Sequence, residues 1–136
     1  MPTRRIKILN LVIAIDTSGS ISNDDLKGFF SEINSILNCV DEYKIFLIQC
    51  DAKIQSIDEY LSPKKIDIKE LKIKGRGGTD FRPVFEYMRE NNILYPLIYF
   101  TDLMGTFPDY FPSFPVLWVT KEGGEVPFGN IAKLRR

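Results

Sequence analysis

Residues 11–22 read LVIAIDTSGSIS. An unbroken apolar run, Leu11 to Ile15, ends in Asp16, and Thr17, Ser18, Gly19 and Ser20 follow at once. An apolar run without polar alternation is the pattern of a strand buried on both faces, and such strands belong to parallel sheets. The residues after it are turn formers. Asp16, Ser18 and Ser20 place a hard oxygen at every second position, and alternate residues of a turn leaving a strand can face one point.

Upstream, the strand extends back to residue 6. Downstream, Ser22 and Asn23 are helix-start residues and Asp24 and Asp25 suit a first turn. Leu26, Phe29, Phe30, Ile33, Ile36 and Leu37 then recur at helical spacing. YKIFLIQC, residues 43–50, predicts a second apolar strand, with Asp51 and Ala52 as a tight turn into a more polar edge strand at 53–61. DIKELK, residues 67–72, predicts a short helix. Gly75 to Thr79 is a glycine loop. Pro83 fits the first turn of a helix running to Glu90, with Val84, Phe85 and Met88 inward. Residues 96–102 and 115–120 predict two more buried strands, and GNIAKL, residues 129–134, a short last one. Apolar strands alternating with amphipathic helices predict one α/β domain, residues 1–136, with a mostly parallel sheet covered on both faces. Ligands of such sheets gather beyond the carboxyl ends of the strands, where Asp16, Asp102 and the loop bearing Thr79 can converge.

Composition narrows the chemistry. The 136 residues include no histidine, which removes Ser-His-Asp triads, Cys-His pairs, HExxH peptidases and most zinc sites. Lys plus Arg equals Asp plus Glu at 18 each, so no global charge draws the chain to nucleic acid or membrane. Cys39 and Cys50 fit no metal spacing, and free thiols in a reducing, cytoplasmic setting are expected. Arg4 and Arg5 before an apolar stretch imitate an export signal, but Asn10 interrupts that stretch at the length of a strand. No run approaches the roughly 18–20 apolar residues of a membrane helix.

Asp16, Ser18, Ser20, Thr79 and Asp102 together offer carboxylates and hydroxyls only. Such hard oxygens suit Mg²⁺ or Mn²⁺. With so few charged ligands the ion keeps net positive character, and an open position attracts a carboxylate from outside.

These segments resemble the von Willebrand factor A (VWA) domain. DTSGS matches its D-x-S-x-S motif, GRGGTDF supplies a threonine at Thr79, and IYFTD supplies an aspartate at Asp102, in the family's order. GGTDFRPVFEYM and VLWVTKEGGEVPFGNI look most like the VWA-like C-terminal domain of predicted bacterial and archaeal metal-dependent peptidases, often linked with AAA-type ATPases. The resemblance implies a Rossmann-like three-layer α/β/α fold, mostly parallel with one antiparallel edge strand and truncated at its C-terminal end. It implies a metal-ion-dependent adhesion site. Ser18, Ser20 and Thr79 bind the ion directly, Asp16 and Asp102 directly or through water, and a partner's Glu or Asp completes the shell. It also implies the C-terminal module of a longer protein, itself no enzyme, with a peptidase-like region upstream or an AAA-type ATPase as partner.

Other readings compete. DTSGS can be no more than a capped turn of a metal-free scaffold. It imitates an aspartic protease, against which Ser18 and the α/β pattern argue. A Mg²⁺-dependent phosphoryl-transfer or hydrolytic domain would use Asp16, but haloacid-dehalogenase-type enzymes want a second Asp where Ser18 stands. The glycine loop lacks the Lys-Ser/Thr of a P-loop. Gly78 and its neighbours let the backbone turn, Asp80 accepts backbone hydrogen bonds or caps the next helix, and Asp51 is a turn residue that adds charge nearby. Lys64, Lys65, Lys69, Lys72, Lys74 and Arg76 form a basic run. It is a solvated face, or Lys72, Lys74 and Arg76 steer an acidic partner toward the ion; no interleaved aromatics suggest nucleic acid. Met104, Phe107, Tyr110 and Phe111 follow Asp102 closely; some pack in the core and the rest form an apolar rim for a partner, with Met104 and Phe107 as the expected partner contacts.

Overall fold

A computed structural model of the chain describes residues 6–67 and 69–134. Eight elements run β1 (Ile6–Asp16), α1 (Asn23–Asn38), β2 (Val40–Cys50), β3 (Ile54–Leu61), α2 (Arg82–Glu90), β4 (Leu97–Phe100), β5 (Val116–Thr120) and β6 (Asn130–Lys133). They form one six-stranded sheet in the order β3-β2-β1-β4-β5-β6. All neighbours are parallel except β3, which pairs antiparallel with β2 as an edge. This is the expected α/β architecture, with two helices among the described residues.

β1 explains its own sequence. It lies between β2 and β4, so both its edges are paired along Val12–Ile15. Leu11, Ile13 and Ile15 enter the cluster under α1, where Leu26, Phe29, Phe30, Ile33 and Leu37 pack. Val12 and Ala14 enter the cluster on the other face with Val84, Phe85 and Met88 of α2. Each large side chain so buried contributes roughly 1.5–3 kcal/mol. The second cluster is aromatic, with Trp118 fully buried among Phe81, Tyr99 and Phe85 at ring separations of 5.3, 5.3 and 5.9 Å. The start of α1 follows the sequence: Ser22 and Asp25 form a reciprocal capping box.

The helix expected at 67–72 does not form among the described residues; Ile68 lies outside them. There is a single turn, in which the Glu70 and Leu71 N–H groups both reach the Asp67 carbonyl. Asp67, Lys69, Glu70 and Lys72 are exposed and only Leu71 of these described positions packs on the core, so a helix here gains little burial, and a short helix carries a costly nucleus. The segment from Ser62 to Lys74 is instead a strap held by side-chain amides. Asn34 donates to the Ile66 carbonyl and accepts from its N–H, at 2.8 and 3.3 Å. Gln49, buried in β2, donates to the Lys72 carbonyl at 3.0 Å and accepts from the Lys74 N–H at 2.8 Å. Gln49 thus imitates a strand partner. Two strands also differ in extent: β2 begins at Val40, and β4 spans Leu97–Phe100, leaving Asp102 in the loop beyond it.

Gln49→Leu should therefore lower stability by about 1–3 kcal/mol, because both strap backbone groups lose their partner. Lys69→Ala on the same strap should stay within about 0.5 kcal/mol of wild type. Urea unfolding of both variants checks this; equal effects would show that the amide does not hold the strap.

Candidate metal-binding loops at the carboxyl ends of β1 and β4

Parallel strands on either side of β1 lead to connections that leave in opposite directions, so a crevice opens beyond β1 and β4. Asp16, the last residue of β1, is fully buried there. Its Oδ1 accepts the Ser18 N–H at 2.9 Å, and its Oδ2 accepts the Thr101 hydroxyl at 2.6 Å. The first bond closes the turn of DTSGS, and the second ties that turn to β4. The hydroxyls continue outward. Ser18 Oγ and Ser20 Oγ stand 3.1 Å apart, and Ser20 Oγ donates to Asp102 Oδ2 at 2.7 Å. Asp102 Oδ1 accepts the Met104 N–H at 3.0 Å. Asp16, Ser18, Ser20 and Asp102 are thus one connected set of oxygens.

Thr79 is brought to the same edge by its loop. The Gly19 N–H donates to the Gly77 carbonyl at 2.9 Å and the Arg76 N–H to the Thr17 carbonyl at 2.7 Å. On its other side, the Phe81 N–H donates to the Thr106 carbonyl at 3.0 Å. The Thr79 methyl lies against Gly105, where an added Cβ would stand 2.6 Å from it. The glycine loop is therefore fastened between the turn of DTSGS and the loop that carries Asp102.

Asp51 is the post under that loop. It is 5% exposed and accepts from the Gly77 N–H at 3.0 Å, from Gln55 at 2.9 Å and from the Lys53 N–H at 3.2 Å. Gly75 must be glycine: its φ is +123°, and a Cβ would stand 2.6 Å from Thr17 Oγ1. Gly78 has no such reason, since a Cβ there meets nothing within 4 Å. Arg76, between two of these glycines, has φ +73°, and its guanidinium donates to the Ile21 carbonyl.

Asp80 is taken up by its neighbour: its carboxylate accepts the Arg82 N–H at 3.0 Å and a forked guanidinium contact closing to 2.8 Å. Lys72 and Lys74 are exposed on the strap, and neither forms an ion pair among the described residues. Met104 is 73% exposed beside Asp102. Phe107 is half-buried with its ring 4.9 Å from Phe81 and 5.2 Å from Trp118, so most of it packs inward. Thr101 and Thr17 were not foreseen. The hydroxyl preceding Asp102 was the available signal for Thr101. Thr17 Oγ1 is buried without a hydrogen-bond partner.

Burial raises the Asp16 carboxyl above the usual range; its hydrogen bonds from Ser18 and Thr101 only partly offset this, and the Asp102 charge adds to it. Burial acts the same way on Asp51, but bonds from Gln55, Lys53 and Gly77 outweigh it and hold its carboxyl low. The Arg82 contact lowers Asp80. Among the described residues neither Asp16 nor Asp102 has an ion-pair partner, and no three His, Cys, Asp or Glu side chains stand together as a metal group.

A family model described as VWA-like domain (DUF2201) matches residues 11–135. The chain belongs to this family. An uncharacterized protein of Thermotoga maritima is 38% identical over 77 residues, which cover 57% of this chain and 18% of that protein. This VWA-like domain thus spans under a fifth of that curated relative. Among solved structures it is similar to the ArnB paralog VWA2 from Sulfolobus acidocaldarius, with a TM-score of 0.65 and 17% identity over 86% of this chain and 36% of that one. It is also similar to an aerotolerance-related membrane protein from Bacteroides fragilis NCTC 9343, at TM-score 0.58 and 13% identity over 94% and 76% of the chains. At these identities the structures establish the fold. No helix among the described residues is long and apolar enough to cross a membrane.

Opposite pKa shifts give opposite stability effects. Asp16, raised on folding, stabilises below its unfolded pKa, and that contribution is lost as pH rises through its folded value. Without divalent ions, Asp16→Asn should therefore be more stable than wild type at pH 7, and the gain should shrink on acidification. Asp51, lowered on folding, stabilises above its unfolded pKa and loses this as pH falls through the folded value. Asp51→Ala should cost about 1–3 kcal/mol at pH 7 through its unpaired donors. Denaturant unfolding in chelator across acid to neutral pH reads both; an Asp16→Asn protein less stable than wild type at pH 7 contradicts the account.

Proposed function

We propose that this VWA-like domain is a divalent-cation-dependent protein-interaction module. In this reading Ser18, Ser20 and Thr79 ligate Mg²⁺ or Mn²⁺ through their hydroxyls. Asp16 and Asp102 hold the ion directly or through water. A glutamate or aspartate of a partner protein takes the remaining position.

The observation that carries the reading is the spacing of the oxygens. Neighbouring ligands around an octahedral Mg²⁺ with bonds of 2.0–2.1 Å stand about 2.9 Å apart. Ser18 Oγ to Ser20 Oγ is 3.1 Å and Ser20 Oγ to Asp102 Oδ2 is 2.7 Å. The donor set is hard oxygen throughout, and its carboxylates have no ion-pair partner among the described residues. When bound, the ion supplies a positive centre for an incoming carboxylate. The residues of the chain itself hold it in place: Asp16 fixes the turn, Asp51 seats the glycine loop, and Thr101 links β1 to β4. Met104 adds apolar contact beside the ion, and Lys72, Lys74 and Arg76 attract an acidic partner. Family resemblance suggests an AAA-type ATPase or a region of a longer parent chain as that partner, and the free Cys39 and Cys50 suit a reducing, cytoplasmic setting.

The domain acts as a binder rather than an enzyme in this reading. Asp16 is buried with both oxygens hydrogen-bonded, which suits a ligand-holding group better than the nucleophile of a phosphoryl-transfer enzyme. One observation favours a metal-free scaffold: separations of 2.7–3.1 Å are also ordinary hydrogen bonds.

Thermal unfolding separates the readings. An ion bound to the folded state alone adds about 2.7 kcal/mol at one hundred times its dissociation constant. Millimolar Mg²⁺ or Mn²⁺ should raise Tm by several degrees, with Mn²⁺ acting at lower concentration. Asp16→Ala should abolish the increment and Thr79→Val should weaken it. Ser22→Ala should keep it while costing a helix cap, about 1 kcal/mol. Identical curves with and without ion for wild type would leave the scaffold reading standing.

A further inference from the structure

β4 and β5 run parallel to β1, so the residues that precede them lie at the end of the sheet away from Asp16 and Asp102. There a cleft of about 210 Å³ opens between the last turn of α2 with the loop that follows it and residues 110–114. Phe85, Met88 and Phe114 form its buried floor. Leu94 and Phe111 stand on its rim at 65% and 79% exposure. Large apolar side chains left in water beside a formed apolar cavity mark a binding surface.

A charged group in the lining gives this surface a chemistry. Arg89 is its one charged residue. The guanidinium lies over the Tyr110 ring, 4.7 Å from the centroid, and forms no ion pair among the described residues. The Tyr110 hydroxyl is buried and has no hydrogen-bond partner. With no exposed surface it lies out of a ligand's reach, so the guanidinium is the group a ligand meets, and a guanidinium beside an apolar cleft is matched by a carboxylate with an apolar body. Glu86 and Asp109 also stand near Tyr110 but do not line the cleft.

We propose that this cleft is a second binding site, which takes the apolar C-terminal residue of a partner polypeptide. The volume is below the roughly 300–1,000 Å³ of a drug-sized site and suits one large side chain. A C-terminal residue carries that side chain and a carboxylate on the same Cα. The side chain sits on Phe85, Met88 and Phe114, and the α-carboxylate pairs with Arg89, which the Tyr110 ring holds in place. The site is independent of any ion at the other end of the sheet.

The methionines make the test local. The sequence has three, of which Met88 lies in the floor of the cleft and Met104 beside Asp102. With methyl-¹³C-methionine protein, N-acetyl-phenylalanine serves as the minimal probe and its primary amide as the control. The acid should move the Met88 resonance and leave Met104 in place, with the amide at least about tenfold weaker, the worth of a charge-assisted pair. Arg89→Gln, an exposed substitution, should bring the acid down to the amide. Tyr110→Phe, which keeps the ring under Arg89, should bind the acid as wild type does. No movement of Met88 by about 10 mM acid, a concentration that detects even millimolar binding, overturns the proposal. So does equal binding of acid and amide, or movement of Met104 instead. Mg²⁺ added to the same sample reports on the other end through Met104, so the two sites succeed or fail separately.

Discussion

The carboxylate of Asp16 is the constraint on which the rest of this domain depends. It sits at the end of the central strand with no exposed surface, and burial makes its charge expensive. Two donors hold it: the Ser18 N–H, two residues on, and the Thr101 hydroxyl, from the strand on the other side of the crevice. The first shapes the turn so that the hydroxyls of Ser18, which is buried, and Ser20, which is exposed, stand together. The second fixes that turn against the loop of Asp102. An aspartate is thereby spent on arranging other oxygens, in a place where an apolar residue would stabilise the fold more simply.

The glycine loop repeats the device from the other side. Asp51 directly follows β2, where Asp16 closes β1, and it too is buried and accepts hydrogen bonds from a neighbouring segment. Its hold on Gly77, with the contacts of Gly19 to Gly77 and Phe81 to Thr106, stretches the loop across the crevice. Three separate connections of the chain thus meet at one edge of the sheet. Their backbones are tied to one another, so the side chains they carry keep a fixed relation. The strap upstream belongs to the same arrangement, because Gln49 anchors Lys72 and Lys74 just before the loop begins.

Much of this was legible in the sequence, for physical reasons. The apolar run to Ile15 carried the parallel sheet, since only a strand covered on both faces tolerates such a run. Ser22 and Asp25 carried the helix start, and Pro83 that of α2. The alternation of Asp16, Ser18 and Ser20 pointed to a cluster because a turn presents alternate residues together. What the sequence hid were contacts between distant segments. Local propensity favoured a helix at 67–72, and nothing nearby reveals that Asn34 and Gln49 hold the strap extended. Asp51 looked like an ordinary turn residue, because its donors lie at Gly77 and Gln55. Phe107 followed Asp102 closely enough to suggest a rim, but the aromatic cluster around Trp118 draws most of it inward.

The domain belongs to a VWA-like family, and relatives such as the Thermotoga maritima protein contain far more chain than it does. The sheet carries an oxygen-lined crevice at one end and an apolar cleft at the other. The central claim is that the oxygens of DTSGS, with Thr79 and Asp102, surround an ion. A crystal structure grown with Mn²⁺ and measured at a wavelength where manganese scatters anomalously tests it most directly. The account predicts one anomalous peak within bonding distance of Ser18 Oγ, Ser20 Oγ and the Thr79 hydroxyl, with Asp16 and Asp102 in its first or second shell. A well-ordered crevice with no peak, in which Ser18, Ser20 and Asp102 keep their hydrogen bonds to one another, would contradict it.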